Sequence, residues 1–302
     1  MTRSNYAPIV LFGFIRLDTI KKVVEGLLAN TESKDSDLFI FIDGPRKESE
    51  ALLVEKVYKY CHQIDGFKNI TIHANEYNKG LDPSIIDGVT TVINKYGKVI
   101  VLEDDVVPTS NFLSYMNTCL DVFESDERIM SIGGYGLKVK KPKDYTFDAY
   151  LFGRSVSWGW ATWIDRWSSI DWEIKDWCQF RKNLPSIYRF NKRAGSDMFS
   201  MLKACMRGGN MWDIRFCYNM YKQNKYCVTP IISKTNNIGF NELAIHCKPI
   251  KYQRYKINFD LSNNKLFKLA KGMPIHKGLI RQNLFVHSYF MRIVSKTLNK
   301  IL

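Results

Sequence analysis

The sequence predicts an α/β chain: a mostly parallel central sheet with helices on both faces, followed by a basic helical tail. Three observations predict it. The apolar runs "APIVLFGF" (7–14), "DLFIFID" (37–43) and "KVIVL" (98–102) have strand length and no polar alternation, the pattern of strands buried on both faces. Stretches of helical period separate them. Finally, Arg16, Asp43 and the acids Glu103, Asp104 and Asp105 all fall at or just after strand ends, where ligands sit in open parallel sheets.

In chain order, the first strand is followed by Asp18 as an expected N-cap and by Ile20, Val23, Val24, Leu27 and Leu28 at helical spacing. The second strand ends in the turn "GPR", and Leu52, Leu53, Val57 and Tyr60 mark the next helix. "NITIH" (69–73) reads as a short strand and "SIIDGVTTVINKYG" (84–97) as a helix closed by Gly97. After the acids, "SNFLSYMNTCLDVF" (110–123) is helical and "IMSIGG" (129–134) strand-like. All seven tryptophans lie between Trp158 and Trp212. Trp160, Trp163 and Trp167 have the spacing of one helix face and are expected in the core, whereas Trp158, Trp172 and Trp177 fit that face less well and could stack on a sugar or base.

Composition sets the bounds. The chain has 302 residues, 45% hydrophobic and 25% charged, which is globular. No stretch approaches the roughly 18 apolar residues of a membrane span, and the N-terminus carries no signal-peptide pattern. Seven cysteines without a C-x-x-C pair favour reduced thiols and a cytoplasmic setting over a disulfide framework or a structural zinc site. Net charge is +14, and its placement matters more than its size. From Ile245 onward there are 12 Lys and Arg against one acid, Asp260, so the body is nearly neutral and the tail strongly basic.

Three adjacent carboxylates repel one another and require a cation. A strand ending in them suits a hard ion such as Mn²⁺ or Mg²⁺, held by one or two carboxylates together with substrate phosphate oxygens. Such an ion neutralises the charge that builds up on a departing diphosphate.

"VIVLEDDVVPTSNFLSYM" resembles the metal-binding strand of the GT-A-fold glycosyltransferases, and of the N-acetylglucosaminyltransferase I family in particular. "GWATWIDRW" (159–167), "MWDIRF" (211–216), "VTPIISKTNNIGF" (228–240) and His246 follow in that family's order. "NKGLDPSIIDGV" (78–89) and "SWGWATWIDRW" (157–167) are similar to blocks in sugar transferases of bacterial polysaccharide loci. The resemblance implies a Rossmann-like GT-A catalytic domain over 1–247, with a nucleotide-sugar and metal half at 1–134 and an acceptor half at 135–247, and a basic amphipathic extension at 248–302. It implies Asp105 as the direct metal ligand with His246 completing the metal or diphosphate contacts, Glu103 and Asp104 near ribose and base, and Arg16 and Asp43 on the nucleotide. The donor is expected to be a nucleotide sugar, with UDP and a GlcNAc-like sugar suggested by analogy, and the transfer inverting.

Inverting transfer needs a carboxylate that takes the acceptor hydroxyl's proton. Asp213 in "MWDIRF" is the nearest match, although the family's working base aligns with the next position, here Ile214. Asp197 in "AGSDMFSML" is the rival. The tail 276–302 carries Lys277, Arg281, Arg292, Lys296 and Lys300, no acid, and a broad apolar face including Tyr289, Phe290, Ile293 and Ile301. It reads as an interfacial helix on anionic lipid at the inner face of the cell membrane, serving a lipid-linked glycan acceptor, or else as a helix packed on the body or on a second subunit. Two other classes compete. A nucleotidyltransferase wants a glycine-rich basic loop after the first strand, where "GFIRLD" has one Gly and one Arg. A nucleic-acid-binding protein is suggested by charge alone, without a recognition motif.

Overall fold

The computed structural model describes residues 6–239, 252 and 254–301. Strands β1 (Ile9–Gly13), β2 (Asp37–Ile42), β3 (Asn69–Ala74) and β4 (Lys98–Glu103) alternate with helices α1 (Leu17–Leu28), α2 (Ala51–Cys61) and α3 (Leu81–Tyr96), as the apolar runs require. Then follow β5 (Val106–Pro108), α4 (Phe112–Phe123), β6 (Ile129–Gly133), β7 (Ala149–Phe152), β8 (Trp160–Trp163), α5 (Ile164–Ser168), α6 (Trp177–Phe180), α7 (Leu184–Ala194), α8 (Met198–Cys205) and α9 (Trp212–Lys222). Strands β9 (Tyr226–Pro230) and β10 (Thr235–Asn237) and helices α10 (Lys277–Val286) and α11 (Tyr289–Ile301) complete the elements of the described residues.

Eight strands form one sheet in the order β3-β2-β1-β4-β8-β6-β9-β7. The pairings make six of them run one way, with β8 and β7 reversed. Alternate residues of β1 and β4 enter opposite cores. Ile9, Leu11, Ile100 and Leu102 pack with α1, α2 and α4, whereas Val10, Phe12, Val99 and Val101 pack with α3 and α9. Glu103 is in register beside Phe12, and strand alternation puts it on the same face as Val99 and Val101. That parity aims the first acid toward α3. Gly97 closes α3 with φ of 79°, as expected from the sequence.

The tryptophan block differs from its expected helix. Trp160–Trp163 is strand β8, and only from Ile164 does the chain turn helical. In a strand, positions three apart face opposite sides. Trp163 accordingly joins the α4 core while Trp160 joins the α3 core, where it stacks on Trp167 at 5.6 Å. All three are nevertheless core residues. Asp18 lies in the first turn of α1 but caps nothing with its side chain; the N-cap position is Arg16.

Much of the segment beyond 256 is built into the body. Met273 is buried in the α4 core, and Leu279 of α10 packs with Tyr150 and Phe152 of β7. Asp260 forms a buried ion pair with Lys234 and accepts hydrogen bonds from Asn111, at the N-cap of α4, and from Ser262. No helix among the described residues is long and apolar enough to cross a membrane. The six described cysteines are unbonded.

Candidate active site

Two cavities meet at the C-terminal end of β4, and Arg16, Leu81 and Glu103 line both. Arg16 is the N-cap of α1, and its backbone carbonyl is engaged by Ile20 N. Its guanidinium donates to Asp105 Oδ2 at 2.8 Å and pairs with Asp104. One fixed cation thus spans two of the three acids. It does not neutralise them all. Asp104 is pushed up to about 6 by burial, with Asp105 adding to the shift and Arg16 opposing it. Glu103 is raised well above the usual carboxylate range by burial and by its neighbours Asp105, Asp104 and Asp213. Asp104 Oδ2 is buried without a hydrogen-bond partner. An uncompensated carboxylate oxygen inside an acid cluster is the donor chemistry that a hard divalent ion satisfies, so the residues fit such an ion. Among the described residues no three His, Cys, Asp or Glu side chains converge as a complete metal cage. The β5–β10 ribbon brings Gly239 onto the acids, where a Cβ would lie 1.9 Å from Asp105 Oδ2, so a side chain there would displace the Asp105 carboxylate from its present place. His246 lies outside the described residues.

The first cavity, about 320 Å³, opens over β1–β3. Phe12, Phe41 and His73 form a stacked series along its floor, at 5.5 and 4.6 Å between ring centroids. Gly88 lets α3 approach this floor, since a Cβ there would meet Phe12 at 2.7 Å. Asp43 lines the cavity, but its carboxylate already accepts from the backbone N–H of Gly44, Lys79 and Gly80 and from Asn75 Nδ2. Its evident work is to hold the "NKG" loop, where Gly80 has φ of 85° at the start of α3. Sequence reasoning missed Ser84, whose buried hydroxyl has no partner and which lines this cavity, as well as Arg46 and Lys79 on its rim. The "NKGLDPSIIDGV" block contained two of these three, so its position after a strand was the available signal.

The second cavity, about 460 Å³, lies beyond Glu103 and Asp105. Asp213, in the first turn of α9, lines it. Trp212 N donates to Asp82 Oδ1 at 3.0 Å, which ties the start of α9 to the first turn of α3 and so sets Asp213 opposite the acids. Burial raises the Asp213 pKa, Arg154 opposes that and Asp82 adds to it. Ile214, the next position, is buried in the α3 core. Asp197 is fully enclosed at the N-cap of α8 and accepts from Arg154 Nη1 at 2.8 Å. It does not line the cavity; its partner Arg154 does. Sequence reasoning had no signal for Arg154. Of the three outlying tryptophans, Trp158 lines the cavity edge-to-face with Tyr135 and Tyr255, at 4.6 and 5.6 Å, whereas Trp172 and Trp177 pack against the α3 core.

No protein-family model and no curated protein matches the chain. Among solved structures it is similar to the mannosyltransferase PcManGT from Pyrobaculum calidifontis in complex with GDP-Man and Mn²⁺, at 10% identity and a TM-score of 0.35. The match covers 54% of this chain and 46% of that one, so the chain spans less than half the length of this neighbour.

Proposed function

We propose that the protein is a metal-dependent GT-A-type glycosyltransferase, transferring a sugar from a nucleotide-diphosphate donor to a hydroxyl of a lipid-linked glycan with inversion, at the inner face of the cell membrane. The observation that carries this reading is the meeting of two cavities at one cluster of strand-end acids, with Arg16 on the boundary. The aromatic floor of the first cavity suits a flat base, and its volume suits a nucleoside. The diphosphate would then lie near Arg16, and the sugar would point past Glu103 into the second cavity. Domain limits of 1–247 for the catalytic unit and 248–302 for the extension belong to the same proposal.

Asp105, with Glu103 and Asp104 beside it and His246 as a further candidate ligand, would hold Mn²⁺ or Mg²⁺, which supplies charge neutralisation for the departing diphosphate. The chain's own residues do the rest. Trp158, Tyr135 and Tyr255 present ring edges and faces on which an acceptor sugar can pack. Asp213 takes the proton of the acceptor hydroxyl as its oxygen bonds to the anomeric carbon, while the bond from that carbon to the phosphate oxygen breaks and the nucleoside diphosphate leaves with the pair. A carboxylate raised by burial is the stronger base for this transfer. Arg154, held by Asp197, keeps Asp213 ionised enough to act.

The test is a panel of nucleotide sugars incubated with purified protein and Mn²⁺, reading nucleoside diphosphate released. At least one donor is expected to be turned over, with loss of about a hundredfold or more on chelation. Release of pyrophosphate from a nucleoside triphosphate plus a sugar 1-phosphate, with no donor turnover, would assign a nucleotidyltransferase instead.

A further inference from the structure

Helix α11 (Tyr289–Ile301) has no buried residue. It is nonetheless fixed to the body by polar contacts: Tyr289 N donates to Ser196 Oγ at 2.8 Å, and Asn299 exchanges hydrogen bonds with the backbone of Tyr252 at 2.8 and 2.9 Å. Its Met291, Val294 and Leu298 are half-covered. A second apolar row stands outside. Phe290, Ile293 and Ile301, at helical spacings of three and eight, are 65%, 48% and 74% exposed. Apolar side chains of this size left in water along one line mark a contact surface. Arg292, Lys296 and Lys300 accompany the row, and no acid occurs anywhere after Asp260.

We infer that the outer row of α11 lies in an anionic lipid bilayer, with its cations at the headgroups, and that this contact places the mouth of the second cavity at the membrane. Charge complementarity selects the occupant. Helices α10 and α11 carry Lys277, Arg281, Arg292, Lys296 and Lys300 and no Asp or Glu, a charge that repels a second copy of itself and attracts an anionic surface, while the apolar row favours a bilayer over a nucleic acid. The connection to the cavity is covalent and short. His287, the buried C-cap of α10, lines the second cavity together with Tyr255, and α11 begins two positions later. An acceptor held in the bilayer by a lipid chain would therefore present its polar head to the cavity without leaving the membrane. This last step rests on the transferase reading; the lipid contact does not.

The test uses the full chain and vesicles, with no donor present. Phosphatidylcholine vesicles containing phosphatidylglycerol are expected to bind the protein at least tenfold more tightly than phosphatidylcholine alone. Phe290→Ser with Ile293→Ser, and separately Lys296→Glu with Lys300→Glu, are each expected to weaken that binding about tenfold or more. Because these side chains are exposed, the melting temperature should stay unchanged, which separates loss of the contact from loss of the fold. Absence of binding to anionic vesicles, or binding that both variants retain, overturns the inference. So does a dimer in light scattering that Phe290→Ser with Ile293→Ser converts to monomer, since a second copy would then cover the row. Vesicle binding that persists in a protein inert toward every nucleotide sugar would keep this inference and remove the transferase reading alone.

Discussion

Asp213→Asn is expected to lower sugar transfer by about 10²–10⁴-fold while leaving donor binding within about twofold of the parent. The side chain is isosteric, and the helix start is held by Trp212 N on Asp82 Oδ1, a contact that does not involve the Asp213 carboxylate. What is lost is the acceptor for a proton at the moment the hydroxyl attacks. Asp197→Asn gives the discriminating comparison. Asp197 is closed off behind Arg154, so its loss should shift the acid limb of the pH–rate profile upward, because Arg154 would be less well placed to favour ionised Asp213. If Asp197→Asn were the more damaging of the two at every pH, with Asp213→Asn nearly normal, the assignment of the base would be reversed. Steady-state kinetics against the donor found by the panel reads both.

Lys234→Met is expected to destabilise the fold by about 3 kcal/mol or more, since removing one partner of a buried ion pair strands the other. Lys234 precedes β10, and its ammonium sits 4.9 Å from the ring centre of Phe267 and pairs with Asp260. The pair therefore joins the β10 ribbon, the start of α4 and the segment after 256. Its loss should also change the acid response. Burial pushes Asp260 up, but Lys234, Ser262 and Asn111 outweigh burial and hold it down at about 2. A depressed carboxylate contributes stability that is present above its unfolded value near 4 and is lost as pH falls toward about 2. In Lys234→Met the same carboxylate is unpaired and rises, so protonation relieves it. The stability gap between parent and variant should therefore narrow as pH is lowered toward 4 and below. Urea unfolding from pH 7 down to about 3 measures this, and a gap that stays constant would exclude the ion pair as its cause.

The strands of the first half were legible because burial on both faces leaves no polar position to confuse the period. β1, β2 and β4 appear within a residue or two of their apolar runs, and the acids' place at the end of β4 follows directly. The tryptophan block was not legible. A spacing of three and four satisfies a helix, yet Gly159, with φ of 78°, leads into strand β8, which sends Trp160 and Trp163 to opposite cores. Periodicity cannot separate the two when both faces are buried. Asp213 stood ahead of its rival Asp197 only by its likeness to the family's block, because tertiary placement, which buries Asp197 behind Arg154 and leaves Asp213 on the cavity, has no trace in the local sequence. The residues after 256 gave little warning that they enter the core, because they do so through isolated anchors such as Met273 and Leu279 rather than through a repeating face.

Nucleoside diphosphate binding by calorimetry, with and without Mn²⁺, measures the role of the strand-end acids most directly. The parent protein should bind UDP or GDP at least tenfold more tightly with Mn²⁺ than in chelator, and Asp105→Ala should abolish that difference while the fold, read by melting temperature, persists. Equal affinity with and without the ion, or an Asp105→Ala protein that keeps the full metal-dependent gain, would contradict a divalent cation seated at the end of β4.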